Sequence, residues 1–175
     1  MTDEVSLQGL VERSVALDAA AFRALIETLD GKLFRYVSSR TNSREEAIDI
    51  LQDTFIALWH ALPRFEYRSD AGFYRFVYTI TKRHLSKVGS TRSLPLPDPD
   101  MLPDDAFLQE APRNADVALA LKKLGDTARD IVVLRHWSEF SFKEIGAMLS
   151  MKEEAVRVRH HRALSKLREL LPLYA

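Results

Sequence analysis

The sequence predicts an all-α protein: two small helical domains joined by an acidic, proline-rich linker, the second domain a helix-turn-helix. Three observations predict it. Five of the seven prolines fall between Pro95 and Pro112, in SLPLPDPDMLPDDAFLQEAP, where missing backbone donors block helix. On both sides of that segment prolines and glycines are scarce, and apolar residues recur at spacings of three and four. No segment alternates with period two long enough to suggest a sheet. The division is therefore residues 1–90, a linker at 91–114, and residues 115–175.

Along the first part, the pattern predicts helices at about 4–15, 18–29, 31–41, 44–62 and 71–88. Asp18 and Ser43 stand as N-caps, and Pro63 stops the fourth helix. That helix is the clearest element. Ile48, Leu51, Phe55, Leu58, Trp59 and Leu62 form an apolar stripe, which reads as core. Asp49, Gln52, Asp53 and Ile56 lie on the adjoining face, where spacing alone does not separate a solvated surface from a binding row.

Along the last part, helices are predicted at about 126–137, 141–149 and 151–170. Ser141 with Glu144, and Ser150 with Glu153, fit the capping-box pattern, in which serine and glutamate side chains satisfy orphan backbone N–H groups. A short helix, a tight connection and a longer basic helix make a helix-turn-helix. In the third helix Val156, Ala163, Leu164, Leu167 and Leu170 can pack inward. Arg157, Arg159, His161, Arg162, Lys166 and Arg168 point elsewhere. Guanidinium groups so placed can fork onto guanine edges or grip phosphates, although a solvated basic face is the plainer alternative.

Composition narrows the function. With 46% hydrophobic residues the 175-residue chain can build cores. It has no cysteine, which excludes disulfides and cysteine-based zinc or redox sites. No apolar run approaches the ~20 residues a membrane span needs. The acidic start, MTDEVSLQGL, does not read as a secretory signal, so a cytoplasmic location is expected. The formal net charge is zero, unlike that of a free-standing nucleic-acid binder. The distribution is uneven, however. Residues 117–175 carry 11 basic and 7 acidic side chains, and residues 89–116 carry 2 and 6. A DNA binder delivered by a larger partner needs little net charge of its own. Of the five histidines, the adjacent His160 and His161 splay apart on a helix and make a poor chelate. His160 falls within the apolar stripe as a satisfied, partly buried residue. No metal site, cofactor or catalytic constellation is expected.

The two parts together resemble the bacterial sigma factor family, in its small extracytoplasmic-function group, over nearly the whole chain. EEAIDILQDTFIALWHALPRF is similar to the family's polymerase-binding helix, A-x-D-x-x-Q-[DE]-x-F-x-x-x-W/L. FYRFVYTITKRHL is similar to the helix that follows it, and residues 124–169 to the family's second domain. The resemblance implies that Asp49, Gln52, Asp53, Phe55 and Trp59 contact the clamp helices of the large subunit of core RNA polymerase. It implies that Phe65, Tyr67, Arg68 and Arg75 lie in the loop that captures an unpaired base of the minus-10 element. Lys82, Arg83 and Lys87 would hold the melted strand, and Arg157, Arg159 and Arg162 would read or grip the minus-35 element, with Lys166 beside them. Promoter DNA, core polymerase and an anti-sigma factor are the implied partners.

The sequence also departs from the family pattern. Phe76-Val77 stands for W-L, Arg83 for an asparagine, and Lys87 for a frequent acid. At the recognition helix, Lys152-Glu153-Glu154-Ala155-Val156 stands where s-p-g-T-V is usual. A hydroxyl is lost and two carboxylates face the DNA-proximal end, which favours weak or unusual minus-35 recognition. Two other readings stay open: a sigma-like decoy that occupies an anti-sigma protein, and a stand-alone helix-turn-helix repressor.

Overall fold

The computed structural model describes residues 6–89 and 115–171, and every regular element among them is helical. The linker and the expected start of the first helix before Ser6 lie outside the described residues. Eight α-helices follow in order: α1 Leu7–Val15, α2 Ala19–Ser38, α3 Arg44–Ala61, α4 Asp70–Gly89, α5 Ala115–Lys122, α6 Asp126–His136, α7 Phe142–Leu149 and α8 Glu153–Leu170.

Side-chain caps set most of the starts. The Ser6 hydroxyl accepts from the Gly9 N–H at the head of α1. Asp18 accepts from the N–H groups of Ala20 and Ala21 and is held by Arg13 at 2.6 Å. The Ala21 N–H, then Arg13, hold the Asp18 carboxyl below its ordinary pKa. Ser43 accepts from Glu46 N–H at the start of α3. Beyond Ala61 a 3-10 turn, Leu62–Arg64, carries Pro63 near its start, where the missing donor costs nothing.

Three expectations are corrected. The helices expected at 18–29 and 31–41 are one helix, α2, with Gly31 inside it. Glycine costs a helix about 1 kcal/mol relative to alanine. The buried row Leu25, Leu29, Leu33 and Val37 continues through the site and outweighs that cost, since each such side chain contributes roughly 1.5–3 kcal/mol. The second capping box does not form. Ser150 is instead the left-handed residue that ends α7, at φ 55°, and Lys152 begins α8 without a side-chain cap. The first box, Ser141 with Glu144, is present in both directions. Helix α5 is not among the expected elements; it is a short, largely apolar helix that begins at Ala115.

The core is continuous. Leu25, Leu29, Leu58, Leu62 and Phe73 fill the N-terminal domain, and Ile131, Leu134, Phe140, Ile145 and Val156 fill the C-terminal one. The two domains also pack on each other, α4 along α7 and the end of α2 against α6.

Candidate polymerase and nucleic-acid interfaces

On α3 the side chains sort by helical period. Ala47, Ile50, Leu51, Thr54 and Leu58 are buried. Asp49, Gln52, Asp53 and Ile56 are exposed and form one row. Ile56 is 58% exposed, an apolar side chain in the middle of a polar face. Phe55 and Trp59 are only half-buried. The Trp59 ring lies 4.8 Å from that of Phe22 on α2, so it fastens α3 to its neighbour as well as edging the row. Asp53 also faces His84 Nδ1 of α4 at 3.8 Å.

The segment before α4 is built on aromatic packing. Phe65 stacks on Phe76 with centroids 4.6 Å apart and meets the edge of Phe73 at 5.7 Å. Phe76, which departs from the family pattern, thus serves as the platform for Phe65. The Tyr67 hydroxyl donates to Asp70. Burial first, then that carboxylate, raise the phenol to about 12, so Tyr67 stays a neutral donor. Arg68 is exposed and pairs with Glu66 at 2.8 Å. Ser69 Oγ accepts from Gly72 N–H, which fixes where the loop ends and α4 begins.

Arg75, Lys82, Arg83 and Lys87 are exposed on α4. On α8, at about 100° per residue, Arg159, Arg162 and Lys166 share one face while Arg157 points away from it. Arg159, Arg162 and Lys166 are exposed. Arg157 folds back: it donates to Glu153 at 2.5 Å and its guanidinium sits 4.7 Å over the Phe142 ring. Glu153 is therefore neutralised within its own helix.

Comparison with known proteins gives the arrangement its context. Residues 25–87 match the model of Sigma-70 region 2, and residues 120–169 match Sigma-70 region 4. The chain is 34% identical to the ECF RNA polymerase sigma factor ShbA of Streptomyces griseus, over 96% of this chain and 97% of that protein. This chain belongs to the ECF RNA polymerase sigma factors. It is also 29% identical to the ECF sigma factor SigD of Mycobacterium tuberculosis, over 93% of this chain and 82% of the relative. Among solved structures, CnrH in complex with the cytosolic domain of CnrY aligns with a TM-score of 0.73 at 27% identity, covering 95% of this chain and 97% of that one. As a sigma factor, the chain directs promoter recognition and transcription initiation by RNA polymerase. The family is generally non-enzymatic.

Two clusters in this sigma factor were not singled out by the sequence. The first joins the domains. Arg40, just after α2, pairs with Asp130 of α6 and with Asp126 at 2.9 Å. Asp130 is 2% exposed. Its other oxygen accepts from the Tyr78 hydroxyl of α4 at 3.0 Å and faces Lys82 Nζ at 3.8 Å. Tyr36 donates in turn to Tyr78 at 3.3 Å. Burial opposes the charge on Arg40, but Asp130 and the neighbouring groups outweigh it and raise its pKa. Arg129 donates to the Ser39 carbonyl, and Ser138 Oγ donates to the Lys32 carbonyl at 2.9 Å. The second cluster is His136 of α6 with His160 of α8, whose Nε2 atoms lie 2.8 Å apart, one ring donating to the other. Burial, with Arg135 close to both rings and His161 close to His160, depresses both pKa values. Asp130 carried one faint signal, a carboxylate at the head of the apolar run Ile131–Leu134. His160 carried another, a polar residue in the stripe.

Proposed function

We propose that residues 1–90 bind core RNA polymerase and the minus-10 element, and residues 115–175 bind the minus-35 element, with residues 91–114 as the connection. Asp49, Gln52 and Asp53 pair with basic clamp helices of the large subunit, Ile56 seats in an apolar hollow between those contacts, and Phe55 and Trp59 edge the surface. The single observation that carries this is the row on α3: two carboxylates, an amide and an exposed isoleucine on one rigid, capped helix. Partly apolar contacts surrounded by complementary charge are what strong protein interfaces use.

Tyr67, Arg68 and Arg75 receive an unpaired base beside the Phe65–Phe76 stack, and Lys82, Arg83 and Lys87 hold the strand's phosphates. Arg159, Arg162 and Lys166 form the major-groove face of α8. Arg157 acts chiefly by bracing α7 against α8, since its guanidinium is engaged by Glu153 and Phe142. The chain itself catalyses no reaction and works in the cytoplasm; no helix among the described residues is long and apolar enough to cross a membrane. An anti-sigma protein is a further partner. Two solved structures support it, CnrH with the cytosolic domain of CnrY and, for Bartonella quintana, RpoE with the anti-sigma factor NepR.

The test is co-elution with purified core polymerase followed by run-off transcription. The wild-type chain co-elutes and yields promoter-specific product, and Asp49→Arg abolishes both while the helical content stays unchanged. A wild-type chain that neither binds polymerase nor initiates would refute the assignment.

A further inference from the structure

Helix α8 turns to solvent two side chains that the proposed contacts leave unused. Its buried residues Val156, Ala163 and Leu167 define one pole of the helix. At ~100° per residue, Glu154 and Val158 fall within about 20° of the opposite pole, and four residues apart they stand side by side. Both are exposed, Val158 by 50%. Arg159 and Lys166 lie on one flank of that ridge and Arg157 on the other. A helix seated in a groove with its core face turned away from the DNA pushes this ridge in deepest.

The chemistry of the ridge is unlike that of its flanks. A lone exposed valine is ordinary on a protein surface. Val158 instead stands among cations in the second turn of α8, within the part of a recognition helix that reaches base edges. The apolar group that the major groove offers there is the C5 methyl of thymine. Glu154 differs from its neighbour Glu153. The Glu153 carboxylate is held by Arg157 at 2.5 Å, whereas Glu154 has no hydrogen bond or ion pair among the described residues. An unneutralised carboxylate turned toward DNA repels phosphate and is stabilised only where a donor meets it. On base edges that donor is an amino group, and carboxylates accept from cytosine N4. The same carboxylate rejects guanine and thymine edges, which present acceptors at that depth.

On the reading that α8 enters the major groove of the minus-35 element, on which this inference rests, we propose that Glu154 and Val158 set its base preference. Glu154 selects a cytosine through the N4 amino group, and Val158 selects a thymine through the C5 methyl. The two side chains are ~6 Å apart along the helix axis. That is just under two base-pair steps at ~3.4 Å each, so the cytosine and the thymine belong to base pairs one or two steps apart. Arg159 and Lys166 on the flank supply attraction to phosphate that every sequence offers; the ridge supplies the discrimination.

The test is run-off transcription by core polymerase with the full chain, from a promoter library randomised in the minus-35 element. The wild-type chain is expected to select a cytosine and a thymine within two steps of each other. Replacing that thymidine by deoxyuridine removes only the methyl group, and should lower wild-type product threefold or more. Val158→Ala should give equal product from the two templates. Glu154→Ala should lose the cytosine preference, and Glu154→Gln should shift it to adenine, which an amide binds through N6 and N7. The deoxyuridine comparison uses the wild-type chain and so does not depend on any variant folding. Minus-35 selection that persists with equal product from thymidine and deoxyuridine templates, or a cytosine preference unchanged in Glu154→Ala, overturns the proposal while leaving α8 on the DNA. Initiation that depends on the minus-10 element but shows no minus-35 selection at all refutes the underlying reading, and the proposal with it.

Discussion

Gly146→Ala would place a methyl group where the helix-turn-helix has no room. A Cβ built on Gly146 lies 2.7 Å from the carbonyl oxygen of Met151, a backbone atom that cannot swing aside. The two residues are already tied by the Met151 N–H donating to the Gly146 carbonyl at 2.8 Å. The turn from α7 to α8 must therefore shift or break that bond. Overpacking of this kind costs about 1–3 kcal/mol. Alanine recovers up to about 1 kcal/mol of helix propensity over glycine. From the middle of that range the net loss is about 1 kcal/mol, or roughly 2–4 °C in midpoint for a chain of this size. Gly31→Ala is the internal control. Its Cβ meets only Arg35 Nη1, at 3.7 Å, the far end of a flexible side chain. There the propensity gain stands alone, and stability should rise by up to about 1 kcal/mol. Thermal unfolding followed by circular dichroism checks both. A Gly146→Ala protein as stable as wild type, or a Gly31→Ala protein destabilised as much as Gly146→Ala, would refute the steric argument.

Ile56→Asp should leave thermal stability within about 0.5 kcal/mol of wild type and weaken core polymerase binding tenfold or more; Trp59→Ala should lower both, because its ring also packs on Phe22. Titrating fluorescent sigma with core polymerase separates the two effects, and equal binding by Ile56→Asp would remove that residue from the interface. Arg159→Ala should cost ~1–3 kcal/mol in minus-35 binding, whereas Arg157→Ala should lower the stability of the C-terminal domain more than its DNA affinity. Run-off on a panel of minus-35 variants and unfolding curves of both proteins decide this, and the opposite ranking would exclude the assigned face of α8. Acidification should loosen α8 from α6. Both rings of the His136–His160 pair have folded pKa values below the ordinary 6.5, so the unfolded chain binds protons first and stability falls as pH drops below about 6.5. His160→Leu should flatten that decline; an unchanged pH profile would show that the pair does not control it.

The helices were legible wherever local chemistry decided them. Ser43 and Asp18 cap the helices they were expected to cap because a side-chain oxygen and an N–H two or three residues on are enough. Reading failed where packing overrode local preference. A break was expected near residue 30, but the leucine row of α2 runs straight past it. Ser150 looked like a cap, yet a serine three residues before glutamate can equally close the preceding helix in the left-handed conformation, as it does for α7. The exposed row of α3 was visible as a spacing and the stripe beside it read as core, but that Phe55 and Trp59 stay half-buried was not legible; the seat of Trp59 depends on Phe22 arriving from another helix. The Arg40–Asp130 pair was illegible for the same reason, since its members are 90 positions apart and the contact exists only once both domains are folded.

The half-buried seat of Trp59 also has a genetic consequence. Because Phe22 supports that ring from beneath, lesions on α2, which carries none of the proposed polymerase contacts, should surface in any screen for lost initiation. Such alleles ought to be temperature-sensitive and rescued by overexpression, whereas alleles at Asp49 or Asp53 should fail at every temperature and respond only to compensating charge changes in the polymerase. Two complementation classes would thus emerge from a pair of packed helices.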